Sequence, residues 1–251
     1  MPVSSNRNAG TSIHSTQSSR RAKVGLIVPS LNTTTEPEFA TLAPPGVTFH
    51  ATRVYMEQTT TSDLQAMNAE VEAASRLIAS IDPDVVAYAC TSGTFVAGPS
   101  GLQSLTDTIA SVAGCPVVTT SGAMVEALRH LGVRRLALAT PYPEDITHAE
   151  EIFLAESGFQ IVSTNWLGLS GAAIRKAPLD AIRSLVRSVD RTSADAIFVS
   201  CTDFRALELV DELERETHKP VLTSNQVTLW GVLSALRIKH AGRGYGKLLS
   251  E

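Results

Sequence analysis

An internal repeat constrains the fold of this chain more than any other feature of its sequence. Residues 84–91 (DVVAYACT) match residues 195–202 (DAIFVSCT), 111 positions later. The pairs Pro29-Ser30 and Pro141-Tyr142, and the segments that begin at Pro116 and Pro220, repeat in the same order with shifts of 112 and 104 positions. Three ordered matches with similar shifts indicate that the chain consists of two related halves.

Strand-like and helix-like patterns alternate in both halves. Short apolar runs rich in β-branched residues predict strands at 23–29, 47–54, 84–89, 116–119, 134–139, 160–166, 195–200 and 220–223. Apolar residues at helical spacing follow most of them, as in the single helix predicted from an N-cap at Ser62 through Ile78. This alternation predicts an α/β fold with parallel sheets that helices cover on both faces.

The repeat also predicts where a functional site lies. Ligands of open α/β sheets bind beyond the carboxyl ends of strands, and Cys90 and Cys201 both follow such an end. If a pseudo-twofold axis relates the halves, the two cysteines face each other across one cleft. Cys115 has no counterpart in the other half and is expected to be an ordinary core residue.

Composition excludes several classes of function. The net charge is −4, without a basic block, and aromatic residues are 5% of the chain, which argues against nucleic-acid binding. No apolar run has the roughly 18–20 residues of a membrane span. Three cysteines without a Cys-x-x-Cys pair, and no export signal, predict a cytoplasmic protein with reduced thiols. The six histidines are scattered, so no metal site is expected.

Four segments are expected along the chain. Residues 1–22, rich in Ser, Thr, Asn and Arg, are predicted to form a disordered tail. Residues 23–121 form the first α/β half and residues 122–225 the second. Residues 226–251 provide a C-terminal helix and tail that pack on the first half.

Several short motifs resemble the aspartate/glutamate racemase superfamily, within it the branch of maleate cis-trans isomerases and arylmalonate decarboxylases. The motifs are VPSLN at 28–32, YAC at 88–90, TPY at 140–142, SCT at 200–202 and GYGKL at 244–248. The resemblance runs from about Lys23 to Leu249. It implies two flavodoxin-like halves, each a four-stranded parallel sheet flanked by helices, with the active site between them and no cofactor.

The resemblance also implies a reaction. Isomerases and racemases of the superfamily carry both cysteines, whereas the decarboxylases have a glycine in place of the first. Both are present here, which favours an isomerase or racemase over a decarboxylase. Within that choice, the resemblance to the maleate isomerases predicts a cofactor-independent isomerase acting on a small dicarboxylic acid such as maleate. Cys90 is then the nucleophile that adds to the double bond, and Cys201 supplies a proton or shields the carbanion. The residues expected to bind the substrate are Pro29, Ser30, Asn32, Thr91, Ser92, Tyr142 and Thr202.

Three alternatives remain open at this point. They are racemisation of an amino acid or related compound, decarboxylation of an arylmalonate-type acid with Cys201 as proton donor, and binding of a small acid without catalysis. Maleate isomerases resemble each other in an asparagine after the second strand of the second half, where this chain has Ser170 or Gly171, and Asn165 lies earlier.

Asp203 and Arg205 are further candidates for substrate contact. A homodimer or higher homo-oligomer is also expected.

Overall fold

Two parallel sheets correspond to the two halves of the repeat. The computed structural model describes residues 22–239 and 244–250. The first sheet has the order β2-β1-β3-β4 and the second the order β6-β5-β7-β8, with every neighbouring pair parallel. The strands are β1 (Ala22–Pro29), β2 (Val47–Val54), β3 (Val85–Tyr88), β4 (Val117–Thr119), β5 (Arg135–Thr140), β6 (Gln160–Trp166), β7 (Ala196–Val199) and β8 (Val221–Thr223).

The register shows why the repeated motifs are equivalent. Ile27 pairs with Tyr88 in the first sheet, and Ala139 pairs with Val199 in the second. Both β3 and β7 are buried along their whole length, as expected for inner strands covered on both faces. The predicted α/β fold of two four-stranded parallel sheets is confirmed.

Ten helices flank these sheets in the described residues. They are α1 (Thr35–Leu42), α2 (Thr61–Ala69), α3 (Val71–Ala79), α4 (Thr91–Phe95), α5 (Gly98–Ala113), α6 (Thr120–His130), α7 (Glu144–Glu156), α8 (Leu179–Val189), α9 (Val210–Thr217) and α10 (Ser224–Ala235). Two 3₁₀ turns, Gly171–Lys176 and Leu207–Leu209, complete the second half.

Two helical segments differ from the sequence-based expectation. The single helix expected from Ser62 is two helices, α2 and α3, and its cap is Thr60, whose side chain accepts from the N–H of Asp63 at 3.2 Å. The first of the two helices ends before Glu70, whose N–H returns to the carbonyl of Met67. Helix α5 was missed, because Gly98, Pro99 and Gly101 at its start are typical of a loop.

One of the two hydrophobic core clusters spans both halves. Tyr88 and Phe95 of the first half belong to the same buried cluster as Tyr142 and Phe153 of the second. The rings of Phe95 and Tyr142 meet edge to face with centroids 6.2 Å apart. This packing fixes the carboxyl ends of the two sheets against each other.

The C-terminal helix returns to the first half. Helix α10 packs on α6 and on strands β3 and β4. The limits assigned to the four segments stay predictions, and the expected tail, apart from Ala22, lies outside the described residues. Between residues 22 and 239 and from 244 to 250, no helix has the length and apolar character to cross a membrane.

Candidate active site

The carboxyl ends of β3 and β7 meet at a small cavity between the two halves. Cys90 follows β3 and Cys201 follows β7, and both line this cavity, whose volume is about 20 Å³. Cys90 is 3% exposed, Cys201 is partly buried, and neither is in a disulfide. The structure therefore brings the two repeat-equivalent thiols to one place.

Most of the other predicted site residues line the same cavity. They are Pro29, Asn32, Thr91, Ser92, Tyr142 and Thr202. Ser30 is not in the cavity wall. Its hydroxyl donates to the carbonyl oxygen of Met56 at 3.1 Å and accepts from the N–H of Met56 at 3.0 Å. Because Met56 lines the cavity, Ser30 holds a wall residue in place and is not itself placed to contact a ligand.

Cys90 is the N-cap of a short helix. Its Sγ accepts from the N–H of Gly93 at 3.3 Å, and the Ser92 hydroxyl lies 3.9 Å away. A Cβ at Gly93 would lie 2.6 Å from Met67 Cε and 3.0 Å from the sulfur, so glycine permits this close approach. Burial raises the pKa of Cys90 to about 11, while the Gly93 N–H and Ser92 oppose that rise.

Cys201 has a different backbone setting. Its φ of +89° lies in the left-handed region that side chains rarely adopt. Its Sγ accepts from the N–H of Asp203 at 3.4 Å, and a turn follows instead of a helix. Burial and the Asp203 carboxylate raise the pKa of Cys201 well above its ordinary range, and hydrogen bonding to Tyr142 counters part of that rise.

Asn32, in the cavity wall, forms hydrogen bonds within the first half and to the second half. Its Oδ1 accepts from the N–H groups of Thr34 and Thr35 at 3.0 Å each, which stabilises the turn that leads into α1. Its Nδ2 donates to the hydroxyls of Thr35 at 3.0 Å and Thr202 at 3.1 Å. Asn32 is therefore fully hydrogen-bonded to protein, and it donates to a ligand only by giving up one of these bonds.

The threonine hydroxyls that follow β3 and β7 also donate their hydrogens to other protein groups. Thr91 donates to Ser224 at 2.8 Å, and Thr202 donates to the carbonyl oxygen of Ala89 at 3.1 Å. By contrast, the Tyr142 hydroxyl lies at the cavity wall, 3.4 Å from the hydroxyl of Ser200. Burial raises the pKa of Tyr142 well above its ordinary range, so Tyr142 remains a hydrogen donor.

A pair of hydrogen bonds between the halves closes one side of the cavity. The N–H of Thr59 donates to Ser170 Oγ at 2.7 Å, and the N–H of Gly171 donates to Thr59 Oγ1 at 3.3 Å. Sequence reasoning missed Thr59, which no motif marked. Ser170 therefore takes part in this closure, while Asn165 is exposed and donates to Ser188 at 2.8 Å, away from the site.

Two further candidates differ in position. Asp203 lines the cavity, accepts from the N–H of Thr33 and the hydroxyl of Thr34 at 2.9 Å each, and lies 3.7 Å from Arg175. Arg205 lies outside, paired with Glu208 at 2.9 Å. It borders a larger surface cleft of about 430 Å³ that neither cysteine reaches, so the smaller cavity is the better candidate site. Across the described ranges, no cluster of His, Cys, Asp or Glu could hold a metal ion.

Comparison with known proteins finds relatives along nearly the whole chain. The arylmalonate decarboxylase family model matches residues 24–249. The chain is 33% identical over 242 residues to a maleate isomerase of Nocardia farcinica, covering 91% of this chain and 96% of that protein. It is 30% identical over 235 residues to an arylmalonate decarboxylase of Bordetella bronchiseptica, covering 91% and 96%.

A solved structure adds a chemical detail. It is a cysteine-to-serine variant of a Nocardia farcinica maleate cis-trans isomerase with a covalently bound succinylcysteine intermediate. Its TM-score is 0.87 at 30% identity, with 91% of this chain and 98% of that chain covered.

Proposed function

Because this chain belongs to the arylmalonate decarboxylase family, and maleate isomerases are among its relatives, we propose that it isomerises maleate to fumarate with two cysteines. The observation that carries the proposal is the placement of Cys90 and Cys201 in the walls of one cavity. A decarboxylase of this family needs only the second thiol, so the presence of Cys90 favours the isomerase.

The two thiols take different parts in the reaction. The Cys90 thiolate adds to one alkene carbon of maleate, which forms a C–S bond and moves the π electrons toward the neighbouring carbon and its carboxylate. The Cys201 thiol then transfers its proton to that carbon. The product is a succinyl group on Cys90, the same type of adduct as the succinylcysteine captured in the relative.

Rotation about the new single bond makes the reaction an isomerisation. The Cys201 thiolate removes a proton from the carbon that it protonated, the C–S bond breaks, and its electrons regenerate the thiolate of Cys90. The double bond forms again in the trans geometry. The Tyr142 hydroxyl supports the charge that develops on the substrate carboxylate, as an oxyanion donor does.

Substrate access requires the cavity to open. A volume of about 20 Å³ holds one water molecule, too little for a four-carbon diacid. The hydrogen bonds between Thr59 and the segment Ser170-Gly171 are the contacts between the halves whose release widens this side of the cavity.

We place the reaction in the cytoplasm, because three free thiols fit a reducing compartment.

The test is an assay without metal or cofactor. Purified protein is incubated with maleate and the vinyl protons are followed by NMR, with the Cys90→Ala variant as control. Conversion to fumarate that the variant loses supports the proposal. If maleate is unchanged while phenylmalonate loses CO₂ or an amino acid exchanges its α-proton, the activity is decarboxylation or racemisation, and the proposal fails.

A further inference from the structure

A buried carboxyl group lies behind the site without a part in the reaction described above. Glu150 on α7 is 0% exposed and occupies the apolar stripe formed by Ile146, Phe153 and Leu154. Its Oε1 lies 2.7 Å from the hydroxyl of Ser200. Its Oε2 is buried and has no hydrogen-bond partner among the described residues. Such an isolated acid requires an explanation, since an unpaired buried charge is costly.

Ser200 connects this acid to the cavity wall. Its hydroxyl lies 2.7 Å from Glu150 Oε1 and 3.4 Å from the hydroxyl of Tyr142, which in turn hydrogen-bonds Cys201. A serine hydroxyl has a single hydrogen, so Ser200 can donate to Glu150 or to Tyr142 but not to both. The hydrogen bonds that link Glu150, Ser200 and Tyr142 can therefore run in either of two donor-to-acceptor directions. The protonation state of Glu150 selects between them.

The two directions have opposite consequences at the cavity. If Glu150 is ionised, Ser200 must donate to it, and Tyr142 then gives its only hydrogen to Ser200. If Glu150 is a neutral acid, it donates to Ser200, Ser200 donates to Tyr142, and the Tyr142 hydrogen is free to point to the cavity. We propose that Glu150 is a positioning residue that, as a neutral acid, aims the Tyr142 hydrogen at the reacting groups.

The surroundings of Glu150 favour the neutral form. Burial raises the pKa of Glu150 to about 8, with Glu151 adding to the rise and Ser200 opposing it. Glu151 itself points outward to Thr164 and His148. A neutral acid also leaves only a carbonyl oxygen unpaired at Oε2, which costs less than an unpaired carboxylate oxygen.

Within the described residues, the elements that pack most closely on α7 carry no cation that could reverse this preference. Of the elements packed on α7, α4 and β6 have no charged residue. Helix α5 has only Asp107, which accepts from the side chain of Gln103 at the surface. Tyr142 and Cys201, the ionisable groups at the other end of the hydroxyl chain, are both neutral near pH 7, because burial raises their pKa values.

The inference rests on the proposed function, because the Tyr142 hydrogen matters only if charge develops on a ligand or thiolate in the cavity. It predicts a loss of activity as pH rises through about 8, where Glu150 ionises and the chain of hydroxyls reverses. Glu150→Gln keeps a permanent donor toward Ser200 and cannot ionise. Glu150→Leu removes the donor.

The experiment compares kcat/KM against pH for the wild type, Glu150→Gln, Glu150→Leu and the matched control Glu151→Gln. We expect kcat/KM of Glu150→Gln divided by kcat/KM of the wild type to be constant below pH 8 and to rise about tenfold per pH unit above it. Thiol ionisation affects both proteins equally and cancels in this ratio, so that only the ionisation of Glu150 remains. Glu150→Leu loses about tenfold to a hundredfold near pH 7. Glu151→Gln keeps the shape of the wild-type profile, with its alkaline limb moved slightly to lower pH, because the Glu151 charge raises the pKa of Glu150. The inference is overturned if Glu150→Gln keeps the wild-type alkaline limb or loses as much as Glu150→Leu.

A measurement without substrate separates this inference from the proposed function. Infrared difference spectra recorded across a pH titration report the carbonyl stretch of a protonated buried carboxyl. The stretch should be present near pH 7, disappear around pH 8, and be missing in Glu150→Gln. Its absence in the wild type at neutral pH contradicts the inference, whether or not maleate is a substrate.

Discussion

Cys90 and Cys201 occupy the same position in the two halves of the repeat, yet their surroundings differ. Cys90 has extended backbone with φ −148° and caps α4, so the N–H of Gly93 points at its sulfur. Cys201 has φ +89°, precedes a turn, and lies beside the carboxylate of Asp203. The first setting favours a thiolate more than the second does.

This difference is consistent with the two roles proposed for the cysteines. The pKa of Cys90 is raised to about 11, and that of Cys201 is raised further above its ordinary range. The thiol that ionises more readily is suited to attack, while the other keeps its proton and can transfer it to carbon. Local backbone geometry therefore supports the proposed roles of Cys90 as nucleophile and Cys201 as acid.

Removing either thiol should have the largest effect. Cys90→Ala and Cys201→Ala should each lower kcat on maleate by at least about a thousandfold, because both groups form or break bonds to the substrate in the proposed reaction. Cys115→Ser is the matched control and should keep wild-type activity, since Cys115 lies outside the cavity. Activity within about tenfold of wild type in either alanine variant would show that the missing thiol is not required for the reaction.

Tyr142→Phe should have the next largest effect. It removes the hydroxyl at the cavity wall and leaves the ring packed against Phe95, so kcat should fall about a hundredfold while the fold is kept. Steady-state kinetics with circular dichroism as a folding control measure this. An unchanged kcat would show that the hydroxyl does not support developing charge.

The two thiols should ionise in a fixed order. In a Cys115→Ser background, the protein that retains only Cys90 should form thiolate at lower pH than the protein that retains only Cys201. Thiolate absorbance after a rapid pH jump, recorded before alkaline unfolding, gives the order. Asp203→Asn should narrow the gap, because the Asp203 carboxylate raises the pKa of Cys201. The reverse order would exchange the two roles.

Glycine should have opposite effects on stability at the two positions. At residue 201, where φ is +89°, Gly should be about 1 kcal/mol more stable than Ala, because Ala keeps a Cβ in a strained backbone. At residue 90, where the backbone is extended, Gly should be about 0.5–1 kcal/mol less stable than Ala. Urea unfolding of the four variants measures both differences. If the stability difference between Gly and Ala has the same sign at both positions, the proposed difference in backbone strain between them is wrong.

The sequence predicted the sheets and the meeting of the two cysteines, because both follow from the repeat. It could not predict φ at Cys201, because the motif SCT does not specify a left-handed backbone. It also missed Thr59, whose bonds to Ser170 and Gly171 depend on how the halves pack together. These features are tertiary and leave no local pattern.

Two other features do leave a local pattern in the sequence. Leu102, Leu105 and Ile109 follow one helical face, and this spacing predicts α5 despite the glycines at its start. Glu150 interrupts the apolar stripe of α7, and an acid at a core-facing position is a reason to suspect a function.

The assignment of Cys90 as the nucleophile can be tested most directly by locating the covalent adduct. The Cys201→Ser variant lacks the thiol proton donor but keeps Cys90. It is quenched in acid soon after maleate is added, so that the acid protonates the carbanion of the adduct, and its peptides are mapped by mass spectrometry. The account predicts a succinyl group on Cys90, absent from the Cys90→Ala variant treated in the same way. A succinyl group on Cys201 in the wild type, with Cys90 unmodified throughout, would contradict it.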